Sequence, residues 1–152
     1  MPTISVGVDD SLGLPASHAL VQDGATMYVE IGLDKDFAPD SDGNPNLPPN
    51  QYPALVDTGA IESCIDYRLA ERLGLPIIDS KVVSGVHGAA EVNYHLAQIY
   101  VPSLGFTAHG GFAGVHLVDG GQPYQALLGR TFLMHFKMVY DGRTGEVTIS
   151  SD

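Results

Sequence analysis

The sequence predicts an all-β fold, and three observations predict it. Eighteen glycines and ten prolines fall within 152 residues, a density that interrupts helices too often for a helical bundle. They separate short runs rich in Val, Ile, Leu and Tyr, the composition of strands between turns. Hydrophobic residues make up 44% of the chain and the mean hydropathy is +0.07, so a 16.1 kDa chain of this kind buries one core.

Taken in order, Thr3 to Val8 reads as an extended terminal strand and Asp9 to Ser17 as a loop. Residues 1–24 are weakly patterned and stand as an N-terminal segment that includes a possible interface strand. Thr26 to Ile31 partly alternates and reads as a strand. Asp34 to Asn50 holds four Pro and four Asp in seventeen residues, which fits a long surface loop inserted between two strands of one domain. Within it, Asp40-Ser41-Asp42-Gly43 looks like part of a calcium loop. Aligning Gly43 to the required glycine puts Ala38 and Pro49 at ligand positions, so a solvated acidic turn is the better reading.

Ala54-Leu55-Val56 enters Asp57-Thr58-Gly59-Ala60, and the run continues through Ile61 and Ile65: strand, tight turn, strand. Asp66 is placed to cap a short helix, Tyr67 to Leu73, with Gly74 at its end and Pro76 beyond. Val82 to Val101 is strand-like, bent into a hairpin at Gly85 to Ala90. Gly110 to Gly114 and Gly120-Gly121 read as two turns around Val115 to Val118. Ala126 to Gly129 leads into a short apolar stretch, Thr131 to Phe136. Met138 to Asp141 and Val147 to Ile149 close the chain as a hairpin about Gly142 to Gly145.

Charge excludes several classes. Eighteen acids against seven bases give −11, the wrong sign for neutralising nucleic-acid phosphates or an anionic membrane surface. No apolar run of about twenty residues spans a bilayer, and the first residues lack a basic, then apolar, leader, so a cytoplasmic location is expected. One cysteine, Cys64, leaves no internal disulfide and no Cys-rich metal site, and it reads as a small buried side chain. Six histidines include no tight metal-binding pair, so no metal and no organic cofactor is expected. Ser63 and Ser84 lack the glycine elbow of a serine nucleophile.

Asp57-Thr58-Gly59 alone is a weak signal, because Asp and Gly are turn formers. Apolar residues flank it on both sides, however, and a turn facing water has no use for them. The order Leu55-Val56-Asp57-Thr58-Gly59-Ala60, a glycine-tipped hairpin, Leu127-Leu128-Gly129-Arg130 and a terminal hairpin resembles the retropepsin-like aspartic proteases over roughly residues 25–150.

The resemblance implies a closed barrel of mostly antiparallel strands with a flap hairpin and one or two short helices, the protease domain running over 25–152. It implies that Asp57 is catalytic, that Thr58 hydrogen-bonds across to a partner subunit, and that Gly59 lets substrate backbone approach. It makes Gly85, Val86, His87 and Gly88 the flap, and Leu127, Leu128 and Gly129 the brace of the catalytic loop, with Arg130 following. Ala60 would contact substrate, and Val56, Val86 and Leu128 would line or support pockets. Ile61 stands where retroviral members place an acid that pairs with the arginine, which leaves the partner of Arg130 open; Glu62 comes one position later.

Such chemistry needs two carboxyl groups sharing one proton. No second Asp-Thr/Ser-Gly exists in the chain; Asp119-Gly120-Gly121 and Asp141-Gly142-Arg143 lack the hydroxyl residue. The implied solution is a homodimer with one Asp57 from each chain, acting as an endopeptidase on a peptide or protein. The competing reading is a non-catalytic dimeric module of the same fold that binds peptides or only joins chains.

Overall fold

The computed structural model describes residues 3–5, 15–85 and 88–151. The chain is mostly β. In order, β1 (Thr3–Ser5), α1 (Ala16–Asp23), β2 (Thr26–Gly32), β3 (Tyr52–Val56), β4 (Cys64–Asp66), α2 (Tyr67–Arg72) and β5 (Ile77–Gly85) are followed by β6 (Gly88–Val101), β7 (Phe106–Val115), β8 (Ala126–Leu128), α3 (Arg130–Leu133), β9 (Lys137–Asp141) and β10 (Glu146–Ser150).

Seven strands form one sheet in the order β2-β3-β8-β4-β7-β6-β5, and β2 also pairs with β6. That last pairing, Glu30 to Tyr100 through Gly32 to Gln98, closes the sheet into a ring and leaves β5 as an appended strand. Most pairs are antiparallel, but β3–β8 and β4–β7 are parallel. Inside the ring the core gathers Val29, Ile31, Ile65, Ile99, Val101 and Leu128, all fully buried, one or two from most of the strands. A separate three-stranded sheet, β1-β10-β9, holds the described part of the N-terminal segment against the terminal hairpin. The rest of the strand and loop expected over Thr3–Val8 and Asp9–Ser17 lies outside the described residues up to Pro15.

Two expectations need correction. Residues 16–23 form a helix, α1, where the sequence suggests a loop and weak patterning. Ala19 and Leu20 are buried, and the tip of the terminal hairpin presses on its start: a Cβ on Gly145 (φ +78°) would collide with the Ala16 carbonyl. Second, Gly110 to Gly114 is not a turn but runs inside β7, where Gly110 to Ala113 pair residue for residue with Ala97 to Tyr94. Two of its glycines answer to packing: a Cβ on Gly111 would lie 3.0 Å from Ile78 Cδ1, and one on Gly114 would lie 3.1 Å from the His95 ring. The turn expected at Gly120-Gly121 is present, its amides bonded to Leu117 and Val118 carbonyls.

Loop 34–50 sits between β2 and β3 and is tied down at its base. The Asp34 carboxylate accepts from Asp36 N at 3.0 Å and Asn46 N at 2.8 Å. Gln98, fully buried on β6, takes the Asp34 N–H on Oε1 at 2.6 Å and gives its amide hydrogens to Asp34 O and His109 Nδ1. Because the backbone N–H fixes which end of the amide is oxygen, His109 Nδ1 is the acceptor and its proton resides on Nε2. Among the described residues, no helix is long and apolar enough to cross a membrane.

Replacing Gln98 by Leu leaves the Asp34 N–H and the His109 ring nitrogen without their buried partner. Urea unfolding should show a loss of about 1 kcal/mol, the net worth of hydrogen bonds to partly exposed groups, and amide exchange should rise first over residues 34–46.

Candidate active site

β3 delivers Asp57 to the end of a buried strand, and three backbone bonds fix the turn at 57–60. Val56 N donates to Ala25 O at 2.8 Å, Asp57 N to Leu128 O at 2.9 Å, and Ala60 N to Asp57 O at 3.3 Å. The Asp57 side chain is half-buried, and its Oδ1 accepts from Gly59 N at 2.9 Å. Oδ2 has no hydrogen-bond partner among the described residues. Thr58 and Gly59 are exposed, and Ala60 is half-buried.

The segment after β8 holds this loop from beneath. Arg130 N donates to Ala60 O at 2.9 Å, and Thr131 N donates to Ile61 O at 3.0 Å. The Arg130 guanidinium donates from Nη1 to Thr58 O at 2.7 Å, so its partner is a loop carbonyl rather than an acidic side chain. Ser63, buried on the far limb of the loop, accepts Gly129 N–H on Oγ at 3.1 Å. These contacts require Gly129: a Cβ there would lie 2.6 Å from Glu62 O and 3.0 Å from Ala60 O. Sequence reasoning paired the two segments through a resemblance but missed this role of Ser63, for which spacing gave no signal.

Asp66, Asp119 and Asp141 are committed elsewhere. Asp66 is buried; one oxygen caps α2 through Leu69 N at 3.3 Å, and the other accepts Leu117 N and Val118 N, both at 3.1 Å. One side chain therefore starts α2 and fixes the loop at 117–121. Asp119 on that loop accepts from Arg68 Nε at 2.8 Å and Tyr67 OH at 3.1 Å. The Arg68 hydrogen bond foremost, then the one from Tyr67, holds the Asp119 carboxyl below its usual range against some desolvation. A depressed carboxyl stabilises above its unfolded value and gives that up only as pH falls through the folded one, so this latch survives mild acid. Asp141 accepts Arg143 N and Thr144 N within the terminal turn.

Of the expected flap residues, Gly85 and Gly88 face each other at the end of the β5–β6 hairpin; Val86 and His87 lie outside the described residues. Residues 81–84 and 88–91 are exposed along both strands, so the ribbon end stands clear of the ring on both faces. Leu127 is half-buried beside Cys64, and Leu128 is fully buried. The Cys64 thiol is pushed up to about 11 by burial first, then by the charges of Glu62 and Asp57. Tyr124, whose nearness to Asp57 the sequence does not show, is raised by burial and by the Asp57 charge. No group of three or more His, Cys, Asp or Glu suited to a metal ion occurs among the described residues. A cleft of about 840 Å³ lies between loop 34–50, β7 and α3; it reaches Glu62 and Ser63 but not Asp57.

The aspartyl protease family matches residues 49–132, more than half of the chain, from just before β3 into α3. The chain belongs to that family. Among solved structures it is similar to an EIAV protease complexed with the inhibitor HBY-793, at 20% identity over 72% of this chain and 84% of that one, with a TM-score of 0.41. No curated protein matches it in sequence.

This geometry has two measurable outcomes. At pH 8 a thiol near 11 is roughly one-thousandth thiolate. Iodoacetamide should therefore alkylate Cys64 in the folded protein at least about a hundredfold more slowly than in 6 M guanidinium. Gly129→Ala should lower stability by about 2–4 kcal/mol, since backbone rather than a movable side chain stands in the way; an unchanged thermal midpoint would contradict the close approach.

Proposed function

We propose that the chain is one half of a homodimeric aspartic endopeptidase. The observation that carries the proposal is the state of Asp57: half-buried, held through Oδ1, with Oδ2 uncommitted at the tip of a loop whose carbonyls 58, 60 and 61 are all bound from below. One oxygen thus secures the turn while the other is left as an acceptor beside exposed Thr58 and Gly59.

Peptide hydrolysis then needs a water and a second carboxyl. One carboxylate removes a proton from the water while the other carboxyl, protonated, polarises the scissile carbonyl; after addition the proton passes to the leaving nitrogen. Two carboxyls about 3 Å apart share one proton and titrate as a unit. With a single Asp-Thr-Gly per chain, the second acid comes from a second copy related by a two-fold axis. Exposed Thr58 and Gly59, with aliphatic Ile61 still 67% exposed beside them, support a surface that a partner covers. The β5–β6 ribbons would close over an extended peptide held by main-chain bonds, with alternate side chains entering pockets near Ala60, Val56 and Leu128.

Each chain brings −11, so a dimer forms against its own charge. Acid reduces that repulsion and lets the pair keep its shared proton. Cleavage of a peptide library should therefore rise from neutral toward mildly acidic pH and fall faster than linearly on dilution. Asp57→Asn should reduce turnover by at least about a thousandfold, with an unchanged fold by circular dichroism. A pepstatin-type inhibitor should block the wild type. Saturable peptide binding with no cleavage at any pH would instead establish a binding module, and full activity in a sedimenting monomer would remove the second carboxyl from the mechanism.

A further inference from the structure

β7 has two sheet neighbours for only part of its length. β6 covers one edge from Phe106 to Ala113, but β4 reaches the other edge only at Ala113, Gly114 and Val115. From Phe106 to Phe112 that second edge carries no backbone ladder among the described residues, and it forms the floor of the 840 Å³ cleft. Among the described residues, every second N–H and C=O along it has no ladder partner.

Free edges are commonly blunted by lysine, proline or a bulge. This one reads Phe-Thr-Ala-His-Gly-Gly-Phe and has none of these. Gly110 has φ +152°, a conformation that favours glycine, and a Cβ there would meet nothing within 4 Å, so open space lies beside the strand at this point.

The walls indicate what that backbone carries. On one side Phe37, in ring contact with His109, comes from loop 34–50. On the other, Phe106 stacks edge-on with Phe132 at 5.6 Å, and His135 lies beside Phe106. The rim holds the carboxylates of Asp42 and Glu62, and no lysine or arginine lines the cleft. Uncompensated acids beside aromatic faces favour cationic side chains, through charge and through cation–π contact. The volume lies within the range of ordinary ligand sites and accepts a few residues of chain.

We propose that this cleft is a second peptide site, in which an extended, lysine- or arginine-bearing segment of a client protein adds as a strand to the outer edge of β7 between Phe106 and Phe112. It touches the Asp57 loop only on its far limb, at Glu62 and Ser63, and does not reach Asp57, so binding there does not require Asp57 to be catalytic.

The test uses the full chain carrying Asp57→Asn, labelled with nitrogen-15, and a capped hexapeptide of alternating Lys and Val. Saturable amide shifts should centre on residues 106–112, with a dissociation constant of roughly 100 µM or tighter. The same peptide N-methylated at alternate residues, or with Glu in place of Lys, should bind at least tenfold more weakly. Asp42→Lys, an exposed change on loop 34–50 and outside the Asp57 loop, should weaken the parent peptide several-fold. Three results would overturn the proposal: shifts confined to 57–60 and 85–88, equal binding of the N-methylated peptide, or concentration-dependent protection of 106–112 without peptide, which assigns the edge to a second copy. Loss of cleavage by the Asp57→Asn chain bears on the proposed activity alone, so the two ideas fail separately.

Discussion

The arrangement around Asp57 depends on one close approach, that of the residue 129 backbone to the underside of the loop at 58–63. An amide or side-chain donor from Gly129, Arg130 or Thr131 meets Thr58 O, Ala60 O, Ile61 O and the Ser63 hydroxyl. A loop of small residues would otherwise sample many shapes, and ordering it costs about 1–2 kcal/mol per residue. Here the ordering is done by a segment that is itself fixed, because β8 lies parallel to β3 and antiparallel to β4. The strands that carry the loop in and out are thus bridged by a third strand, and the loop has no independent freedom to move its aspartate.

A comparable convergence holds at Asp66. A buried carboxylate without donors would be strongly destabilising, yet this one receives three backbone N–H groups from two different elements. It links the helix after the loop to the turn that precedes β8, so the two segments flanking the Asp57 loop share an anchor. Exposed Arg68 and Asp119, with half-buried Tyr67, repeat that link at the surface, where solvent screening makes it weaker. By contrast, among the described residues the β5–β6 ribbon beyond Lys81 and Glu91 is exposed along both strands and is held by its own ladder.

Much of this is legible in the residues. Proline density marks loop 34–50, Asp66 with Leu69 and Leu73 marks α2, and the glycines at 85–88 mark a hairpin, because each of these rests on local backbone chemistry. The misreadings are non-local. α1 has no side-chain cap and follows a proline, and it is placed by contact with the distant Gly145 turn. Gly110 to Gly114 has the composition of a turn, but Ile78 and the His95 ring, from β5 and β6, explain two of its glycines. The partner of Arg130, which the sequence leaves open, is the carbonyl of Thr58. The motif Asp57-Thr58-Gly59 draws attention, but only the bonds from residues 128–131 distinguish it from an ordinary acidic turn.

The ring also has a temporal consequence. β3 is complete at Val56, but its partner β8 lies about seventy residues further along the chain, and Ala54 pairs with Ala126. During synthesis, ribosomal elongation must pass Thr131 before the loop at 57–63 gains its supports. Contacts of such long sequence separation form late and slowly. A truncated or nascent polypeptide therefore carries the aspartate without its setting, and the shape that makes it distinctive arrives only with the final fifth of the chain.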